Sequence, residues 1–168
     1  SPVLLGEFGI SRFGTGALYD LMDARHMMPT DNFRQTKFSR AACMNAHAFK
    51  KTYAPKKSGC RGCHILCKKI TKNRASMPEF ETMSHFSALL ENGDIPTVLR
   101  ANRICNEMGM DTISAAATLA CFSEISQRKL SPNDIVSLLA DIGRKRGVGT
   151  ELGKGAAVYA MHRGRSDL

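Results

Sequence analysis

The stretch "SPNDIVSLLADIGRKRG", residues 131–147, reads as one complete amphipathic helix. Ser131 is an N-cap, Pro132 suits a first helical position where no N–H is needed, and Asp134 lies in the first turn at the positive end of the helix dipole. Ile135, Leu138, Leu139 and Ile142 recur at the three-and-four spacing that lays one apolar stripe along a helix. Arg144 to Arg146 complement the negative end, and Gly147 stops the helix.

The same signals recur outward along the chain. Asp111 or Thr112 caps "ISAAATLACFSEISQRK", whose small Ala116, Ala117 and Ala120 let another helix approach closely. A helix starting near Pro96 carries Val98, Leu99 and Cys105 up to Gly109. Pro78 opens another, with Phe80, Met83 and Leu90 facing inward and Gly93 as its stop. Ser39 caps a helix through Ala42, Cys43, Ala46 and Phe49 that ends before Pro55. After Thr15 as a cap, Leu18, Leu21 and Met22 mark one face of a helix running to about His26, and a last helix follows Thr150. No period-2 alternation and no internal repeat is found. The expected fold is all-α: a multihelical, bundle-like single domain over residues 1–168, with one long irregular loop at 54–77.

At 168 residues and 18.4 kDa the chain is long enough to bury a core without disulfide staples. It is 43% hydrophobic and 23% charged, and no apolar run nears the about 18 residues of a membrane helix. The opening "SPVLLGEFGISRFG" has neither an initiator Met nor a basic segment followed by an apolar one. No secretory signal is expected, and a chain starting at Ser suggests a piece of a longer polypeptide. A net charge of +9 attracts nucleic acid, an acidic protein or an anionic cofactor. Nucleic acid is disfavoured: aromatics are 7%, Trp is absent, and the basic residues read as spread along the chain rather than interleaved with stacking platforms.

Half of the six cysteines (Cys43, Cys60, Cys63, Cys67, Cys105 and Cys121) crowd into "SGCRGCHILCKK", residues 58–69. With no secretion signal this argues for a reducing, cytoplasmic setting and a metal site rather than bridges. The CxxCxxxC spacing lets successive thiolates turn toward one centre, which suits an iron–sulfur cluster or zinc. Gly59 and Gly62 give such a loop backbone freedom, and Arg61, Lys68 and Lys69 offset part of a reduced cluster's charge. "CRGCH" alone matches a c-type haem attachment, but the third cysteine and the missing export signal argue against it. Zinc, with His64 or a distant cysteine as fourth ligand, stays open. Cys43, Cys105 and Cys121 fall on helix faces as small buried hydrophobes, which leaves the loop one sulfur short. His26, His47, His64, His85 and His162 show no catalytic spacing. "GRKRGVGTELGKG" lacks the Gly-Lys-Ser/Thr ending and the preceding strand of a phosphate loop, and is read as a helix junction.

In order, "GTG" (14–16), "MMPTDNF" (27–33), "CRGCHILC" (60–67), "PEFET" (78–82), "NEMGMDTIS" (106–114) and "DIGRKRGVGTELGKGA" (141–156) resemble the tungsten-containing aldehyde ferredoxin oxidoreductase family. That resemblance implies the first helical domain of a longer enzyme whose remaining domains lie outside this chain. It implies oxidation of an aldehyde to a carboxylic acid at tungsten, or molybdenum, held by two molybdopterins, with electrons leaving through a four-iron four-sulfur cluster to ferredoxin. It also implies that Cys60, Cys63 and Cys67 are three cluster ligands, the fourth coming from beyond residue 168. The pterin motif corresponds to Asn106, Gly109, Met110, Asp111 and Thr112, where Asn106 departs from the family's Asp. Glu81 is the implied proton acceptor, although Glu79 and Glu81 also read as ordinary first-turn carboxylates. The isolated chain is expected to be inactive, the parent enzyme an oxidoreductase and a possible homodimer, and neither membrane nor nucleic acid a partner. The competing assignment is a zinc-stabilised, non-enzymatic module that docks an acidic partner.

Overall fold

The computed structural model describes residues 2–72, 74–165 and 167. The short helices α1 (Pro2–Leu5) and α2 (Ile10–Phe13) lead through a 3-10 turn (Thr15–Ala17) into α3 (Leu18–Ala24). Then come α4 (Ala41–Met44), α5 (Ala46–Tyr53), the strands β1 (Lys56–Ser58) and β2 (Lys68–Ile70), and α6 (Phe80–Ser84), which continues as a π turn (His85–Leu89). The bundle proper follows: α7 (Ile95–Met108), α8 (Thr112–Ile125), α9 (Pro132–Arg144), α10 (Gly149–Leu152) and α11 (Ala156–His162). The architecture is mostly α, as expected. No helix among the described residues is long and apolar enough to cross a membrane.

The C-terminal half follows its local signals closely. Ser131 and Asp134 form a reciprocal capping box on α9, and Ile135 and Leu139 are fully buried along its stripe. Asp94 caps α7 by accepting from the Thr97 N–H at 2.9 Å, and Gly109 ends that helix at φ 68°. The α7 helix packs on α9, α10 on α9 and α11 on α8. Phe86, Val98, Leu119, Ile135, Leu139 and Leu152 lie at the centre of one continuous core.

The departures from the expected helices lie mostly in the N-terminal half, and each has a specific physical reason. Thr15 does not cap α3; its side chain is engaged elsewhere. The 3-10 turn advances about 120° per residue against about 100° in an α-helix, which rotates the start of α3. Its buried face therefore centres on Tyr19, while Leu21 is 47% exposed. The helix expected from Ser39 breaks at Asn45, which is extended and caps a new helix by accepting from the Ala48 N–H at 2.9 Å. The helix after Pro78 ends in its π turn rather than at Gly93. There the "MMPTDNF" loop docks on the carbonyls at the end of the turn, the N–H groups of Asp31 and Asn32 donating to Ala88 O and Leu89 O, both at 3.1 Å. The last helix is divided in two by Gly155, at φ 94°.

The 54–77 segment is not wholly irregular. β1 and β2 pair antiparallel, Lys56 opposite Ile70 and Ser58 opposite Lys68. Strands of three residues are too short to show a readable alternation.

The glycine-rich junction after α9 is close-packed. A Cβ on Gly149 would lie 2.3 Å from the Asp141 carbonyl carbon, a backbone atom that cannot step aside. Gly149→Ala is therefore expected to destabilise the fold by about 1–3 kcal/mol, read as a lowered thermal midpoint, while Gly153→Ala, 3.2 Å from its nearest neighbour, is expected to be milder.

Candidate metal and cofactor site

The three clustered cysteines occupy the tip and return arm of the β1–β2 hairpin. The Cys63 N–H donates to Cys60 O at 3.1 Å, closing the first turn. Gly62 adopts φ 78° and Leu66 φ 51°, left-handed conformations that reverse the chain twice within five residues. The arms cross at Gly59, where a Cβ would stand 3.0 Å from Leu66 Cα. Cys60 is exposed, Cys63 and Cys67 are half-buried, and all three are free thiols. In this arrangement no three His, Cys, Asp or Glu side chains among the described residues are grouped to hold a metal ion.

A second motif anchors the hairpin. A Cβ on Gly14, at φ 72°, would meet Cys67 O at 2.9 Å, so only glycine lets the chain lie against the return arm. Next to it, the Thr15 hydroxyl donates to Glu79 Oε2 and accepts from the Phe80 N–H at 2.9 Å. Thr15 thereby caps α6 from 65 residues away in sequence. The other carboxylate oxygen, Glu79 Oε1, pairs with Lys68 Nζ at 2.5 Å, and this pair raises the Lys68 pKa. "GTG", the cysteine hairpin and "PEFET" are thus brought together through Gly14, Thr15, Lys68 and Glu79.

Glu79 and Glu81 have different surroundings. The Glu79 carboxylate is fully engaged, whereas Glu81 is exposed and enters no ion pair among the described residues. The Glu81 carbonyl contacts His85 Nδ1 at 2.8 Å at the head of the π turn. Burial lowers the His85 pKa, partly opposed by Glu81 and Asp111. The α6 helix is joined to the start of α8 by the hydroxyls of Thr82 and Thr112, 2.9 Å apart. Glu81, His85, Asp111 and Thr112 therefore belong to one neighbourhood.

Within the 106–112 segment, the Asn106 amide donates back to Asn102 O at 2.8 Å. Gly109 carries a left-handed stop with open space beside its Cα, and the Met110 N–H donates to Cys105 O at 2.8 Å. Asp111 caps α8 by accepting from the Ser114 N–H at 2.7 Å, and that backbone hydrogen bond holds its carboxyl below the usual carboxylate range. The backbone here is that of a helix stop followed by a cap.

Two expectations need correction. Cys43 is exposed rather than core, because α4 turns its Ala41 and Met44 side inward; Cys105 and Cys121 are buried, and burial pushes the Cys105 thiol up to about 11. The basic residues are not evenly spread: residues 33–78 hold twelve Lys and Arg and no Asp or Glu, against twelve basic and fifteen acidic groups elsewhere. Thr15 was missed as a site residue, and Lys69 was grouped with Lys68 and Arg61 as a charge offset without its burial being foreseen. Lys69 is only 5% exposed, its ammonium turned into the hairpin's own carbonyls. A hydroxyl between two glycines was the available signal for Thr15; nothing separated Lys69 from its neighbour Lys68.

The family described as aldehyde ferredoxin oxidoreductase, domains 2 and 3, matches residues 2–168. The chain belongs to this family. Among similar proteins is the tungsten-containing aldehyde ferredoxin oxidoreductase of Thermococcus kodakarensis, 28% identical over 130 residues, covering 75% of this chain and 22% of that protein. The Pyrococcus furiosus enzyme of the same name is 27% identical over 124 residues, covering 71% of this chain and 20% of its own length. That of Pyrococcus horikoshii is 29% identical over 126 residues, with 73% and 21% covered. The chain spans about a fifth of the length of these aldehyde ferredoxin oxidoreductases.

Thr15→Val removes the cap of α6 and a partner of Glu79. It is expected to lower stability by about 1–2 kcal/mol in urea titration, with Thr15→Ser restoring most of that loss. Alkylation of the folded, metal-free protein near pH 8, where free thiolates begin to form, should label Cys43, Cys60, Cys63 and Cys67 and spare Cys105 and Cys121 until the chain is unfolded.

Proposed function

We propose that this chain is the first helical domain, a single structural unit, of an aldehyde:ferredoxin oxidoreductase. In this reading Cys60, Cys63 and Cys67 supply three of the four protein sulfurs of a four-iron four-sulfur cluster. The segment Asn106, Gly109, Met110, Asp111 and Thr112 holds one pterin of a tungsten (or molybdenum) bis-molybdopterin, and the remaining ligands come from other domains of the parent enzyme. The observation that carries the reading is the joint made by Gly14, Thr15, Lys68 and Glu79, which ties the thiol-bearing hairpin to the helix carrying Glu81.

The donor chemistry fits. Three free thiols on one accessible hairpin are soft ligands suited to iron and sulfide. When bound, such cofactors supply two-electron oxidation of an aldehyde and one-electron export. The protein's part is positional: the hairpin presents sulfurs, Gly109 leaves open space beside a helix stop, and the Asp111–Thr112 cap presents polar groups there. Glu81 is the better proton acceptor of the two candidates, because Glu79 is committed to Thr15 and Lys68.

Ferredoxin enters as the acidic electron carrier. The exposed Lys56, Arg61, Lys72 and Arg74 stand on or beside the cysteine hairpin and form no ion pair among the described residues, which favours an anionic partner there. A reducing, cytoplasmic setting suits the exposed free thiols.

The deciding measurement is an anaerobic visible spectrum with iron, sulfide, tungsten and zinc analysis of the natural polypeptide containing residues 1–168. Broad absorbance near about 400 nm from iron–sulfur charge transfer, abolished in Cys63→Ser, is expected. Stoichiometric zinc without iron would leave the zinc-stabilised module in its place. Electron transfer to an acidic carrier should slow as salt rises from about 0.01 to 0.15 M, where the Debye length falls from about 30 to 8 Å, and slow further in Arg61→Glu.

A further inference from the structure

Lys69 is the most deeply buried charged side chain of the cysteine segment, 5% exposed, on β2 two residues after Cys67. Its Nζ lies 2.8 Å from Leu66 O, 3.2 Å from Cys67 O and 3.2 Å from Lys68 O, with Ile10 O at 3.5 Å. Only the protonated ammonium has three N–H donors for three consecutive carbonyls. Its stem passes Gly14, where a Cβ would come 3.4 Å from Lys69 Cγ. Lys69 pairs with no carboxylate among the described residues, although a buried cation without an anion is costly. The neighbouring basic groups differ: Lys68 is exposed and neutralised by Glu79, and Arg61 is exposed to water, where its field is screened.

We infer that Lys69 is a positioning residue for the cysteine hairpin: its buried ammonium gathers the carbonyls of residues 66–68 beneath the ligand loop and lifts the reduction potential of a cluster bound there. The inference rests on the cluster reading above. The ammonium fixes the backbone that presents Cys67, holding Leu66 in its left-handed conformation by binding its carbonyl. It also lies in a low-dielectric position, where a unit charge acts more strongly than at the surface. The anion that it lacks is the one three thiolates and a cluster bring. Each electron added to that cluster is stabilised by the fixed positive charge, so removing the charge makes reduction harder.

The test is an anaerobic redox titration of the natural polypeptide containing residues 1–168, followed by the cluster's paramagnetic signal, for wild type, Lys69→Met, Lys69→Arg and Lys68→Met. Lys69→Met is expected to lower the reduction equilibrium about tenfold, or about 59 mV for one electron, with Lys69→Arg recovering at least half and Lys68→Met shifting less. An unshifted Lys69→Met cluster, or an equal shift in Lys68→Met, overturns the inference. A wild-type protein that assembles no iron–sulfur cluster overturns instead the reading on which it rests. Should Lys69→Met fail to assemble a cluster, amide exchange in the metal-free protein decides. Exchange at least tenfold faster across residues 59–70 than in Lys69→Arg, with the α7–α9 helices unchanged, supports the positioning role, and unchanged exchange in the hairpin overturns it.

Discussion

The Thr15 hydroxyl, set between the Glu79 carboxylate and the Phe80 N–H, is the contact on which the arrangement of the N-terminal half depends. It donates to one and accepts from the other, so a single side chain starts α6 and fixes where a carboxylate points. Lys68 completes the joint from the hairpin side. From there the chain of constraint is short. The α6 helix runs into the π turn, and the carbonyl end of that turn receives the N–H groups of Asp31 and Asn32. The cysteine hairpin, the Glu81 helix and the "MMPTDNF" loop are linked in series through this part-buried hydroxyl, with Gly14 against Cys67 O as a second contact to the hairpin.

Stability and positioning have different sources in this chain. Each fully buried Leu, Ile, Val or Phe contributes about 1.5–3 kcal/mol, and the α7–α11 bundle collects such residues at Val98, Leu119, Ile135, Leu139 and Leu152. A hydrogen bond contributes about 1 kcal/mol net, so the Thr15 joint adds little to the total. Its value is geometric. Apolar burial is non-directional and tolerates small shifts, whereas the joint holds one carboxylate to a hydroxyl and an ammonium and leaves Glu81, two residues on, unengaged.

This division explains what was legible in the sequence. The caps and stripes of α7, α8 and α9 are local, each decided by residues within about two turns, and they appear where Pro96, Gly109, Asp111 and Ser131 place them, with Asp94 the cap that the reading from Pro96 did not name. The hairpin strands are three residues long and carry no pattern to detect. Thr15 looked like a local cap because its true partners lie 64 and 65 residues away. Asn45 breaks a promising helical stripe because its own side chain offers the backbone another bond. The π turn at His85–Leu89 leaves no mark in residue type at all. Of the candidate site, the thiols and the helix stop were readable from spacing. The different surroundings of Glu79 and Glu81, and the burial of Lys69 beside an exposed Lys68, depend on contacts across the fold.

The charge distribution ties these points together. Twelve basic residues and no acidic one between residues 33 and 78 make a segment that repels itself, and the carboxylate that the fold brings to its hairpin is Glu79, from outside the segment. Of its twelve basic residues only Arg34 and Lys68 enter ion pairs among the described residues, with Asp31 and Glu79, and it buries an ammonium besides. On the proposed reading the deficit is met by what the hairpin holds: three thiolates and a cluster place negative charge at the centre of the basic stretch, while the outermost lysines and arginines remain for an acidic carrier. The same positive charge then serves at two depths. On that reading Lys69 acts beneath the loop on the group held there, and Lys56, Arg61, Lys72 and Arg74 act at the rim on the partner proposed to collect the electron.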